Sequence, residues 1–173
     1  MLLLLLTFVL SLIFVILYSC EKSTLDKYVE SLDEKRTSLL FILVKRYQVL
    51  LKLGNICTGY DGFDREPFVT LESPDDFSMY DLDYLIANQV KAYGEVVYVS
   101  SLNNSLKLNE DYIPMEGELV YWSNKLNKQR SSYNRLVMRY NRSLSIFPIS
   151  ILHLDKLDVL SEVDIDSKRN VLL

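Results

Sequence analysis

The sequence predicts an all-α protein: an apolar N-terminal helix followed by a helical bundle without sheet. Its first nineteen residues, Met1 to Ser19, contain no charge and are mostly Leu, Ile, Val and Phe. Beyond them, apolar residues recur at spacings of three and four over long stretches, the signature of one helix face. The 173 residues include only five Gly and four Pro, few breakers for so long a chain.

The N-terminal segment, residues 1–20, reads as a transmembrane or signal-anchor helix. Nineteen residues span roughly 28 Å as a helix, close to the ~30 Å hydrocarbon core. No Lys or Arg precedes the segment, whereas Lys22, Lys27, Lys35 and Arg36 follow it. The positive-inside rule then predicts a single-pass protein with its N-terminus outside and its body cytoplasmic. An alternative is a lipoprotein signal. Leu17-Tyr18-Ser19-Cys20 has the form of a lipobox, with Cys20 as the lipidated residue and the body in the cell envelope outside the cytoplasmic membrane. Against it stand the absent basic n-region, the length of the apolar run and the bulk of Tyr18.

The bundle is predicted over residues 24–148. Residues 24 to 57 form its first helix, with Leu25, Val29, Leu32, Leu39, Leu43, Leu50, Leu53 and Cys57 on one face. Arg36 falls on that face, either snorkelling from the seam or held in an ion pair. Gly54 to Ser73 is a long connection, of the kind that tends to be functional or mobile. Its Asp61-Gly62-Phe63-Asp64 lacks the ligand alternation of a calcium loop. Ser73-Pro74-Asp75-Asp76 reads as a helix start, with a cap, a first-turn proline and two acids at the positive end of the dipole. That helix runs to about Ser101, and Asn103-Asn104-Ser105 marks a turn.

The last long helix is predicted from about Asn109 to Phe147. Leu119, Trp122, Leu126, Gln129, Tyr133, Val137, Tyr140, Leu144 and Phe147 follow heptad-like spacing. Pro114 and Gly117 predict a kinked or broken start, and Pro148 ends the pattern. Residues 149–173 read as a short helix or irregular tail that frays at its end. The expected core is Leu32, Leu39, Leu43, Leu50, Leu85, Val96, Leu119, Leu126, Tyr133, Val137 and Leu144.

Tyr133-Asn134 recurs seven residues on as Tyr140-Asn141, and seven residues are two helical turns. Arg130, Asn134 and Asn141 therefore share one flank of the seam, where they are expected to form a polar ladder to a neighbouring helix. Lys128, Arg135, Arg139 and Arg142 lie on the far side, most simply as a solvated face. A net charge of −4 and a basic stripe without an aromatic platform argue against nucleic acid.

No catalytic constellation is found. The single histidine, His153, sits in the tail, and no zinc, phosphate-loop or nucleophile-elbow motif occurs. Cys57 reads as inert core. No catalytic, cofactor-binding or metal residue is assigned, and no cofactor is expected.

From Leu106 to Pro148 the chain resembles the C-terminal part of the LemA family of membrane-anchored helical proteins. The matching positions include Leu106, Lys107, Asn109, Glu110, Leu119, Asn124, Arg130, Tyr133, Asn134, Val137, Tyr140, Asn141, Phe147 and Pro148. Upstream, Arg36 with Leu39, Leu40, Leu43 and Val44 resembles the family's first helix. Phe41 and Ile42 stand where the family usually has Pro-Asn, and the following loop differs. The resemblance implies an antiparallel, largely up-and-down bundle of about four helices in a bacterial membrane protein with no assigned catalytic activity. It directs attention to Arg36, Arg130, Tyr133, Asn134, Tyr140, Asn141, Phe147 and Pro148 as structural or interaction residues. The expected function is a membrane-anchored interaction or scaffold module. Its expected partners are the bilayer through residues 1–19, an unidentified protein and, as a further option, a second copy of the chain.

Overall fold

The computed structural model describes residues 1–74 and 82–161. It is all-helical, with no strand among these residues. Helix α1 spans Leu2–Cys57, α2 Glu66–Val69, α3 Leu82–Leu102 and α4 Tyr112–Ser143. Short 3-10 turns cover Leu106–Leu108 and Ile149–Leu152. The start expected at Ser73–Asp76 runs into 75–81, outside the described residues, as does the frayed end expected over 162–173.

The predicted anchor and first body helix are one element. No Gly or Pro interrupts the chain before Gly54, so nothing stops the helix where its surface changes from apolar to charged. Gly54 permits close packing of the connection: a Cβ there would lie 2.6 Å from the Phe68 ring. The connection then turns at Gly62, whose φ of +81° suits glycine.

Helix α4 begins later and ends earlier than its heptads predict. Asn109 Oδ1 accepts from the backbone N–H of Asp111 (2.9 Å) and Tyr112 (3.1 Å), a cap that sets the start. Pro114 then falls in the first turn, where its missing N–H costs no helical bond, and α4 is unbroken through Gly117. At the other end, the N–H groups of Ser145 and Ile146 donate to Arg142 and Ser143 carbonyls, tightening the chain out of the helix. Phe147 therefore leaves the seam and is exposed, not the last buried heptad position.

The chain divides into two compact units. One comprises 1–36 with 131–159; the other comprises the described residues of 37–130 with Leu160 and Ser161. In the first, Leu25, Leu144 and Ile149 form a small core flanked by Tyr18 and Tyr140. Phe14 meets Phe147 edge-on at 5.8 Å between ring centres. In the second, α1, α3 and α4 enclose a larger core around Leu50, Leu53, Val96 and Leu119.

Hydrogen bonds fix the helix directions in this second unit. Gln89 Nε2 donates to Leu43 O at 2.8 Å and Asn103 Nδ2 to Asp61 O at 2.9 Å, so α3 runs the same way as α1. Asn109 Nδ2 donates to Tyr60 Oη at 3.2 Å, while Phe41 packs on Trp122, so α4 runs antiparallel to α1. All eleven residues of the expected core are buried.

Candidate functional site

Neighbouring helical residues point 100° apart, so each Tyr-Asn pair divides its work between seam and flank. Tyr133 is buried and Tyr140 packs against the small core of the first unit. Asn141, on the flank, holds an extended stretch of backbone. Its Nδ2 donates to Leu157 O at 2.8 Å, and Leu157 N donates back to its Oδ1 at 2.9 Å. The side-chain amide thus pairs with a peptide as another peptide would.

In the second unit, Arg130 Nη1 donates to Ser161 O at 3.1 Å. The backbone N–H and hydroxyl of the same Ser161 both donate to Asp83 Oδ1 at 3.0 Å. Leu160 beside it is buried. The partner of Arg130 and Asn141 is therefore the segment that follows α4, not the neighbouring helix expected from their flank position. Asn134 and Arg36 are half-buried, and Pro148 is buried. Lys128, Arg135, Arg139 and Arg142 are exposed on the opposite face of α4.

The sequence reading missed Arg46. Its side chain is fully buried, and Nε, Nη1 and Nη2 have no hydrogen-bond partner. Burial pushes the guanidinium down to about 10, opposed by the charge of Tyr93. Gln89 Oε1 and Ser123 Oγ are likewise buried without a hydrogen-bond partner. A signal for Arg46 was present. The α1 seam skips from Leu32 to Leu39 and from Leu43 to Leu50, and Arg36 and Arg46 fill those two gaps.

An open groove of about 830 Å³ lies along α2 and α3, lined by Pro67, Tyr84, Asn88, Lys91, Gly94 and Tyr98 among others. Asn88 Nδ2 donates to Thr70 O at 2.9 Å, and Tyr84 Oη to Glu72 Oε1 at 2.9 Å, the latter raising the phenol's pKa. These polar groups tie α3 to the connection. They do not form a nucleophile–base pair.

Among the described residues, no group of three or more His, Cys, Asp or Glu gathers as a metal site would require. The Cys57 thiol is buried and pushed up to about 11 by desolvation and by Glu95, so it is a protonated core group at neutral pH. Cys20 is an exposed free thiol on α1.

Fold and contacts define a class: an all-helical bundle protein with, among the described residues, one helix long and apolar enough to cross a membrane. No protein-family model, curated protein or solved structure matches the chain.

Proposed function

We propose that this chain is a membrane-anchored helical interaction module of the LemA type, without catalytic activity. Residues 1–19 span the bilayer, the N-terminus lies outside and the body is cytoplasmic. The observation that carries the reading is α1 itself. Apolar side chains from Leu3 to Leu17 are exposed, and the same helix continues into the bundle. So large an exposed apolar surface calls for lipid or a partner, and its length suits lipid. The Tyr-Asn repeat and the Phe147-Pro148 ending support the family assignment.

A second reading keeps the bundle but places it outside the cytoplasmic membrane, lipidated at Cys20. The Leu17–Cys20 sequence and the exposure of Cys20 favour it. The contact of Phe14 with Phe147 favours the retained anchor, because cleavage before Cys20 would remove Phe14. Labelling separates the two. A Lys128→Cys variant in a Cys20→Ser background is treated in intact cells with a membrane-impermeant maleimide. Protection until lysis supports a cytoplasmic body; labelling of intact cells refutes it.

A further inference from the structure

We infer that the segment after α4, residues 146–154, is a second membrane contact, inserted into the lipid interface beside the anchor helix. This rests on the anchor reading above and goes beyond it. The twelve residues 143–154 contain no Asp, Glu, Lys or Arg. Within them, Ile146, Phe147, Ile151, Leu152 and Leu154 are exposed. Nothing in the segment's own packing requires this. Ile149 and Pro148 fill the local core, and the other large apolar side chains point outward.

Position identifies the occupant as lipid. Phe147 packs on Phe14, which lies five residues inside the body-side end of the apolar span. At ~1.5 Å per residue, that is about 7 Å below the boundary. Amphipathic elements in an interface bury their apolar side by ~5–10 Å, the same depth. Tyr18 and Tyr140 flank the core formed by Leu25, Leu144 and Ile149, close to the level where Ser19 gives way to Cys20 and Glu21. Tyrosines are favoured at that level, with the ring in the apolar region and the hydroxyl in the headgroups. The charged chain resumes on both sides of the segment, at Arg142 and at Asp155. A membrane-spanning α1 therefore brings this apolar turn to the bilayer, continuous with the surface of the anchor.

The inference is tested with nitroxide labels on the full-length protein in 3:1 phosphatidylcholine–phosphatidylglycerol vesicles. Single cysteines replace Ile151, Ile13 or Lys128 in a Cys20→Ser background, and the parent variant controls for labelling at buried Cys57. Accessibility to oxygen is compared with accessibility to a water-soluble nickel complex. Positions 151 and 13 should both favour oxygen over nickel, and position 128 should show the reverse. A lipid-like signal at 13 with a water-like signal at 151 overturns the inference and leaves the anchor standing. A water-like signal at 13 overturns both. A Leu152→Cys label repeats the measurement should Ile151→Cys lose its helical circular dichroism, and a water-like result there likewise overturns the inference.

Discussion

Arg46→Met should stabilise the protein. The guanidinium is fully buried, and all three of its nitrogens lack a hydrogen-bond partner. Its pKa falls from 12.5 to about 10, chiefly by desolvation. At ~1.36 kcal/mol per unit, that decrease corresponds to a penalty of about 3 kcal/mol for holding the charge in the fold at neutral pH. Replacing even paired buried charges with apolar residues of similar volume is often neutral or stabilising by ~1–4 kcal/mol, a range that includes the same value. Met matches the length of the arginine stem and adapts to irregular space. The assay is urea unfolding of the full chain in detergent micelles, followed by Trp122 fluorescence. With a slope of ~1–3 kcal/mol/M, the midpoint should rise by at least about 1 M with the slope unchanged. Arg46→Lys retains the charge and should give no such gain. If Arg46→Met instead lowers stability by about 2 kcal/mol or more, the guanidinium has a favourable partner and the reasoning is refuted.

The other predictions concern the seam, the flank and pH. Leu126→Ala should cost roughly 2–5 kcal/mol while Lys128→Ala changes little; equal shifts in denaturation midpoint would mean the register of α4 is misread. Asn141→Ala removes both bonds to Leu157 and, since that backbone is only half-buried, should cost about 1–2 kcal/mol. Hydrogen exchange should show lost protection at Leu157, and unchanged protection would remove Asn141 as its holder. Cys57 has a folded pKa of about 11 against an ordinary value of 9.0. The unfolded chain then ionises first, so this contribution is intact below pH 9 and lost as pH rises towards 11. The loss is on the order of 3 kcal/mol, and unfolding of Cys57→Ala across that window should lack it.

The seam positions were legible because burial imposes a period that side-chain chemistry repeats. Leu119, Leu126, Tyr133 and Val137 needed only the 3–4 spacing to be identified. The continuity of α1 through Cys20 has the opposite origin. Polarity changes there, but no backbone signal does, so the apolar segment and the first body helix are continuous. Phe147 satisfied the period yet lies beyond the helix end, where the period has no meaning. The flank residues Arg130 and Asn141 do make hydrogen bonds, but not to a neighbouring helix. Arg130 and Asn141 bind backbone 31 and 16 residues away, in a segment with no periodic pattern to place it. Arg46 was overlooked because a charged residue inside an apolar seam reads as an interruption. The two seven-residue gaps in the leucine series were the sign that the seam continued through it.

Mass spectrometry of the intact chain, purified from membranes, tests the central claim most directly. A retained transmembrane anchor predicts a mass that includes residues 1–19 and an unmodified Cys20. A mature chain beginning at Cys20 and carrying a diacylglyceryl group would contradict it, and would place the bundle outside the cytoplasmic membrane.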